Sequence, residues 1–253
     1  MGCSGRWRGI RGSRTCKSVL REDRCSLHHR GTEDTDSGPP HQSHHQVVLR
    51  LLCASVVHYF GWPVNPSALL KPKPPSREAV LAAGGRTVPD LIGPGLGILF
   101  CGINPGLYSG ATGHHFARPG NRFWPALHAA GLTDRVIGPW EESLLLDDGY
   151  GITNLVARAT ATAAELAQEE LMAGRRRLAR KVRRYAPRWV AVLGIGAYRS
   201  AFGRPAAMVG RQVDTLGPSG LWVLPNPSGL NANHQLPDLA RAFRELRLAT
   251  ASR

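Results

Sequence analysis

Two short turns that combine Asn with Pro contain the residues best suited to chemistry in this sequence. An apolar run at residues 96–100, which predicts a buried strand, leads into Gly102-Ile103-Asn104-Pro105-Gly106. A similar run at residues 221–224 leads into Pro225-Asn226-Pro227-Ser228-Gly229-Leu230. Pro and Gly end a strand at once, and open α/β sheets bind ligands at the carboxyl ends of their strands. We therefore expect both turns at one edge of one sheet, although the first turn alone also suits an ordinary strand-to-loop junction.

The elements that must hold these turns alternate between strands and helices. Apolar runs predict strands at residues 96–100, 150–156, 189–193 and 221–224. Apolar periodicity and capping residues predict helices at residues 77–83, 122–130, 140–146, 162–185 and 236–248, with a short one after residue 197. Residues 107–120 are expected to form a loop that exposes Phe116. This alternation predicts an α/β fold with a mainly parallel sheet that is covered by helices on both faces.

Residues 1–75 differ in composition from the rest of the chain. Residues 1–46 are rich in Gly, Ser, Arg and His, residues 47–59 suit a short helix or a short strand, and residues 71–75 form a Pro-rich linker. Such a segment cannot bury enough apolar surface to offset the entropy of ordering, so we predict a disordered or weakly structured basic extension with a Pro-rich linker at 1–75 and a folded domain at 76–253. Its scattered Cys and His match no usual zinc-ligand spacing, and a start codon placed too far upstream is an alternative explanation for the segment.

The chain is strongly basic, with 32 Lys and Arg against 18 Asp and Glu and a formal net charge of +14. A basic globular protein favours a polyanionic partner, nucleic acid ahead of a membrane surface, although a coding bias towards Arg would also raise the charge. The five cysteines are too scattered for a disulfide framework, which indicates a reducing compartment. No stretch is long enough to span a bilayer, so we expect a cytoplasmic protein without a membrane partner.

Three ordered blocks resemble the mismatch-specific uracil/thymine-DNA glycosylases of the uracil-DNA glycosylase superfamily. They are the two Asn-Pro turns and the intervening Thr112-Gly113-His114-His115-Phe116-Ala117-Arg118-Pro119-Gly120-Asn121-Arg122-Phe123-Trp124. The resemblance implies a three-layer α/β/α sandwich and a DNA repair enzyme that hydrolyses the N-glycosidic bond of uracil opposite guanine in double-stranded DNA. Thymine and ethenocytosine are further candidate bases, in guanine–thymine as well as guanine–uracil mismatches. The resemblance also implies a bacterial, nucleoid-associated monomer that needs no cofactor.

The resemblance assigns Asn104 as the catalytic residue. A base within the duplex must be extruded into a pocket before it can react. The Asn104 amide can hold the attacking water, but it cannot take the water's proton as a carboxylate would, and the motif lacks the Asp of the fast relatives. Backbone N–H groups at the Pro105-Gly106 turn can stabilise the negative charge on the departing uracil. We therefore expect a slow, monofunctional enzyme, since Lys181 is the only lysine after Lys73 and no Schiff-base lysine is evident.

The base-binding residues follow from the same resemblance. They are Ile103, Gly106, Ser109, His115, Phe116 and Asn226. Phe116 offers a stacking face for the extruded base, and Ser109 is expected near its C5 edge, as in the uracil-preferring branch. The His114-His115 pair instead resembles the thymine-acting branch, so the sequence leaves the acceptance of thymine open.

Leu230 is the expected wedge that fills the space left by the extruded base. Gly229 and Asn231 flank it and are expected to contact the orphaned guanine, whereas a buried leucine under a loop is the alternative reading of Leu230. The bacterial relatives carry Ser-Arg after the wedge, and this chain has Asn231-Ala232, which predicts weaker contacts to the guanine strand.

Two other hypotheses stay open at this point. One is a non-catalytic module that binds mismatched DNA on the same fold, and the other is an α/β protein that binds a small nucleotide. Cys101 is the only cysteine of the predicted folded part, so we expect no iron–sulfur cluster, and the hydrolysis needs no metal.

Overall fold

A five-stranded sheet forms the centre of the fold in the computed structural model, which describes residues 71–251. Its strands are β1 (Ile98–Gly102), β2 (Tyr150–Asn154), β3 (Trp189–Leu193), β4 (Gly210–Leu216) and β5 (Ser219–Leu224). The strand order is β2-β1-β3-β5-β4, and every neighbouring pair is parallel except β4 and β5. The prediction of a mainly parallel sheet is therefore confirmed.

Helices cover both faces of this sheet. They are α1 (Arg77–Leu81), α2 (Leu107–Thr112), α3 (Phe123–Ala129), α4 (Leu144–Asp147), α5 (Gln168–Tyr185), α6 (Ile195–Phe202) and α7 (Leu236–Ala251), with 3₁₀ turns at Pro139–Glu141 and Ala163–Glu165. Alternate residues of β1 point to opposite faces, as the pleat of a strand requires. Ile98 and Phe100 pack in one cluster with α3 and α7, and Leu99 and Cys101 pack in another with α5 and α6. The predicted three-layer α/β/α sandwich is confirmed.

The order of the strands creates a crevice at the carboxyl end of the sheet. The connection that follows β1 leads to β2 on one side, whereas β3 lies on the other side of β1. The chain segments that leave β1 and β3 therefore diverge, and such switch points are where open α/β sheets bind ligands. The Asn104 turn leaves the sheet at this crevice.

Three details differ from the sequence-based expectation. Residues 107–120 contain helix α2, because Gly106 opens a helical turn that Gly113 closes in the left-handed conformation. The helix predicted from residue 162 begins at Gln168, because Leu166 has an extended backbone and separates α5 from a 3₁₀ turn. Strand β4 was not predicted, because it is an exposed edge strand with few apolar side chains.

The boundary expected near residue 76 coincides with a helix start. The Ser76 hydroxyl accepts a hydrogen bond from the Ala79 N–H at 3.2 Å and thereby caps α1. The expectations for residues 1–70, including the disordered extension and its Cys and His residues, lie outside the described residues. Among residues 71–251, no helix is both long and apolar enough to cross a membrane.

Candidate active site

A cavity of about 520 Å³ occupies the crevice between the ends of β1 and β3. This volume lies within the usual range of small-molecule pockets. The cavity is lined by nearly all of the site residues that the sequence predicts: Ile103, Asn104, Gly106, Ser109, His115, Phe116, Asn226, Leu230 and Asn231. Gly229 does not line the cavity but belongs to the same loop as Leu230. The fold therefore brings the three sequence blocks together around one pocket.

The Asn104 amide is held in one orientation by oxygen atoms of another segment. Its Nδ2 donates to the Thr160 hydroxyl at 2.7 Å and lies 3.1 Å from the carbonyl oxygens of Arg158 and Pro105. A carbonyl oxygen can only accept, so the nitrogen must be the atom on this side. The Thr160 hydroxyl in turn donates to the Thr162 carbonyl at 2.8 Å. The arrangement leaves Asn104 Oδ1 to accept a hydrogen bond in the pocket, as the orientation of a water molecule requires.

Phe116 provides an aromatic wall to the pocket. The sequence predicted an exposed Phe116, but the residue is half-buried. Its ring stacks on Phe123 with the centroids 4.1 Å apart, and the backbone at Phe116 is held in the left-handed conformation with φ 52°. Gly102 lies next to this ring, and a Cβ at that position would collide with Asn154 Oδ1 and approach Phe116 Cζ to 3.3 Å. The absence of a side chain at residue 102 therefore allows Phe116 and Asn154 to reach the pocket.

His115 is a buried residue whose ring nitrogens both have partners inside the protein. Its Nε2 donates to the Pro89 carbonyl at 2.9 Å, and its Nδ1 lies 3.4 Å from Asn154 Nδ2, from which it accepts. Burial lowers the pKa of His115, which favours the neutral ring that this pairing requires. His115 lines the pocket, but its hydrogen bonds position Asn154 and leave none for a base.

Glu142 anchors the segment that carries both histidines. One of its carboxylate oxygens contacts His114 Nδ1 at 3.0 Å, and the other accepts from the His115 backbone N–H at 2.9 Å. The histidine pair is therefore used to fix the backbone of the segment that leads into Phe116.

Ser109, Gly106 and Ile103 line the side of the pocket where the sequence predicts binding of the base. The buried Ser109 Oγ accepts a hydrogen bond from the Ala117 N–H at 3.1 Å, which leaves its own proton for another acceptor. Gly106 precedes α2, whose first backbone N–H groups have no acceptors within the helix. Ile103 is half-buried and packs near Gly194, where a Cβ would lie 3.2 Å from Ile103 Cδ1. The close approach of the two segments keeps this side of the pocket narrow.

The loop at residues 225–235, here called the wedge loop, presents Leu230 to solvent. Leu230 is 66% exposed, which excludes the reading of a leucine buried under a loop. Asn226 Oδ1 accepts from the Ser228 N–H at 3.0 Å, and Asn231 Nδ2 donates to the Asn226 carbonyl at 2.8 Å. The side chains of Asn226 and Asn231 thus shape the loop internally and hold Leu230 at its tip.

Arg122 fastens the wedge loop to the segment that carries Phe116. Its guanidinium donates to four oxygens of the loop, with distances between 2.5 and 3.1 Å: the carbonyls of Ser228, Asn231 and His234, and Gln235 Oε1. The Arg122 N–H also donates to the Pro227 carbonyl at 2.9 Å. Gly229 packs so closely that a Cβ would lie 2.6 Å from the Gly120 carbonyl oxygen. The wedge loop is therefore held by Arg122, a residue outside the loop. The guanidinium of Arg122 forms no salt bridge with a carboxylate among residues 71–251.

The described lining of the pocket contains no Asp, Glu or Lys. It includes the exposed Arg118, which gives the mouth a positive charge that suits a phosphate backbone. Lys181 lies elsewhere, where its Nζ contacts Asp90 Oδ2 at 2.5 Å and the Thr153 hydroxyl at 2.9 Å. Within residues 71–251 no group of three His, Cys, Asp or Glu side chains is arranged to hold a metal ion. The chemistry available at this site is that of amides, hydroxyls, backbone N–H groups and an aromatic ring.

Sequence reasoning missed three residues that shape the site: Asn154, Thr160 and Arg122. Asn154 is the only amide residue of the strand predicted at residues 150–156, but that prediction placed it inside the strand, whereas the structure ends β2 at this residue. Thr160 had none, because its contact with Asn104 joins residues 56 positions apart in a connection without regular structure. Arg122 was part of a recognised block, but its contacts with the wedge loop depend on the folded chain.

Comparisons with protein families and with solved structures each give a match to this chain. Residues 89–247 match the family described as the Uracil DNA glycosylase superfamily, which is more than half of the chain. A solved structure that resembles this chain is the solution NMR structure of a provisionally assigned uracil DNA glycosylase from Methanosarcina acetivorans, at 21% sequence identity and a TM-score of 0.43. The match covers 64% of this chain and 98% of that one. On the family match over residues 89–247, this chain belongs to the uracil DNA glycosylase superfamily.

Proposed function

We propose that this protein is a monofunctional, mismatch-specific DNA glycosylase that removes uracil opposite guanine from double-stranded DNA and leaves an abasic site. The observation that carries the proposal is the pairing of an oriented Asn104 amide inside a base-sized pocket with an exposed Leu230 at its mouth. Membership of the superfamily supplies the general activity, a glycosylase acting on uracil in DNA. The restriction to guanine mismatches rests on the resemblance of the three sequence blocks.

The chemical step follows from the polar groups of the pocket. Asn104 Oδ1 accepts a hydrogen bond from a water and directs its lone pair at the sugar carbon. As the bond from sugar to base breaks, negative charge develops on the base, where backbone N–H groups at the start of α2 can stabilise it. No carboxylate of the described lining can take the water's proton, which instead passes to the departing base anion or to solvent. The reaction therefore depends on the departure of the base, which predicts slow turnover.

Binding of the base combines stacking with two side-chain polar groups. The face of the Phe116 ring that does not contact Phe123 can stack on uracil. The Ser109 hydroxyl proton and the Asn154 amide, held by His115, can bond polar atoms at the edge of the base. His114 contacts Glu142 through Nδ1, and both ring nitrogens of His115 have partners within the protein, which favours uracil over thymine. Ethenocytosine is the third base to be tested.

The decisive experiment is a single-turnover cleavage assay with the full-length protein. Duplexes carry uracil, thymine or ethenocytosine opposite guanine, and alkali cleaves the abasic product. We expect release of uracil, slower or no release of thymine, and release of uracil about 10²- to 10³-fold slower by the variant Asn104→Ala. Tight binding of mismatched duplex without release of any base would instead support the non-catalytic binding module, and absence of both would refute DNA as the substrate.

The proposal extends to the organisation of the chain. Residues 76–253 would form the catalytic domain, acting as a monomer on nucleoid DNA in the bacterial cytoplasm. The Ser76 cap of α1 supports this boundary. A protein that lacks residues 2–75 is expected to cleave uracil-containing duplex within about twofold of the full-length rate, and an insoluble or inactive product would place the boundary elsewhere.

A further inference from the structure

Besides Leu230, a second group of exposed apolar side chains lies at the mouth of the pocket, on the turn that precedes β4. Met208 is 71% exposed and Val209 is 41% exposed, and Val209 lines the same cavity as Leu230. Among the exposed large apolar side chains of residues 71–251, Val209 and Leu230 are the ones that line it. The sequence blocks that indicated the function do not include this turn, which we call the 208–209 turn.

The sheet itself puts the 208–209 turn at the site. Strand β4 is antiparallel to the other strands, so its first residue lies at the edge where they end, and Gly210 pairs with Val223 of β5. The wedge loop leaves β5 at that same edge. The turn and the wedge loop are therefore neighbours in the sheet order, although they are separated along the chain by the whole β4–β5 hairpin.

Four hydrogen bonds hold the backbone of the 208–209 turn. Arg199 Nε and Nη2 donate to the Ala207 carbonyl at 3.1 and 2.8 Å. Gln212 Nε2 donates to the carbonyls of Met208 and Gly210, each at 2.8 Å. Gly210 adopts φ 111°, which side chains disfavour, and so completes the turn. A hydrogen-bonded backbone thus presents two adjacent apolar side chains to water, one of them in the lining of the pocket.

We propose that the 208–209 turn is a second DNA contact, which packs against the sugars and base edges next to the extruded nucleotide; this rests on the proposed function. The side chains of Met208 and Val209 have no hydrogen-bond donors for phosphates, so we expect them to pack against deoxyribose carbons and base edges. Continuity with the pocket and with Leu230 selects DNA over a second copy of this chain as the occupant. The turn would add affinity for duplex without taking part in the reaction.

A binding experiment with a matched control tests this contact. The probe is a duplex with a tetrahydrofuran abasic analogue opposite guanine, which cannot be cleaved, and affinity is measured by fluorescence anisotropy with the full-length protein. Val209→Asp brings a negative charge against the DNA backbone and is expected to weaken binding at least tenfold. Val213→Asp makes the same change on β4 at a fully exposed residue outside the pocket and is expected to change affinity less than twofold.

Photo-crosslinking gives a second readout, which remains usable if a substitution partly destabilises the fold of the variant. A benzoylphenylalanine at position 208 is expected to crosslink to nucleotides beside the abasic analogue, and one at position 213 is not. Equal affinities of the two Asp variants, or crosslinks from position 208 to a second protein chain only, would overturn the contact. Since neither readout uses catalysis, a wild-type protein that binds through this turn but releases no uracil would refute the proposed function alone.

Discussion

The two Asn-Pro turns look alike in sequence, but the structure holds them in different ways. The Asn104 turn is held through the Asn104 side chain, to which we assign the chemistry. One hydroxyl and two carbonyl oxygens accept hydrogen bonds from its amide nitrogen. The wedge loop is held from outside through its backbone carbonyls, by the guanidinium of Arg122. In the first case the functional side chain is fixed, and in the second the functional side chain, Leu230, stays free in water.

This difference matches what the proposed function requires of each turn. A group that orients a water must have one direction, because the rate falls steeply when the reacting atoms are misplaced. A wedge residue must enter a stack of bases, so its backbone has to keep its position while its side chain can change conformation. Under the proposed function, the same short motif would serve a catalytic purpose in one turn and a mechanical purpose in the other, according to which of its atoms the rest of the fold holds.

Removing the fixed amide is expected to have the largest effect. Asn104→Ala should lower the single-turnover rate on guanine–uracil duplex by about 10²- to 10³-fold, the range found when one positioned polar group is lost from an active site. Affinity for the abasic-analogue duplex should be unchanged, because Leu230 and Arg122 are intact. A rate near that of the wild type would refute the role of Asn104 in positioning the water.

Releasing the wedge loop should chiefly affect binding. Arg122→Gln removes the guanidinium from four loop oxygens and should weaken abasic-duplex affinity by about tenfold to a hundredfold, or about 1.4–2.8 kcal/mol. Arg118→Gln is the matched control, since it removes one positive charge from the same segment without releasing the loop. Similar losses in the two variants would show that charge alone, and not the hold on the wedge loop, explains the effect.

Shortening the wedge itself should have a smaller effect than releasing its loop. Leu230→Ala should weaken binding of the abasic-analogue duplex by about tenfold, since burial of a leucine side chain contributes about 1.5–3 kcal/mol. Leu81→Ala removes an equally exposed leucine outside the pocket and should leave affinity unchanged. If Leu230→Ala binds as tightly as the wild type, Leu230 is not the wedge.

Removing one hydrogen-bond partner of the Asn104 amide should have the smallest effect of these four substitutions. Thr160→Val removes one of its three oxygen partners and should lower the single-turnover rate by several-fold to about tenfold, with unchanged duplex affinity. Thr160→Ser keeps the hydroxyl and should restore the rate. A Thr160→Ser variant as slow as Thr160→Val would indicate a packing role for the methyl group instead.

Much of the fold could be read from the sequence because its signals are local. Buried parallel strands appear as apolar runs, and four of the five strands were predicted in this way. Strand β4 was missed because an exposed edge strand needs no apolar run, and its Val213 points into water. Helix α2 was missed because six residues with two glycines at its borders look like a loop.

The sequence by itself determined that two Asn-Pro turns end two buried strands, and that one of them carries a leucine at its tip. Those features depend on neighbouring residues, which fix where a strand stops and which side chain follows. Only the tertiary structure decided how the turns are held. Asn104 meets Thr160 across 56 residues and Arg122 meets His234 across 112, and such pairs exist only after the layers have packed. The identity of the atom left free in the pocket, Asn104 Oδ1, therefore depends on long-range hydrogen bonds that no local pattern specifies.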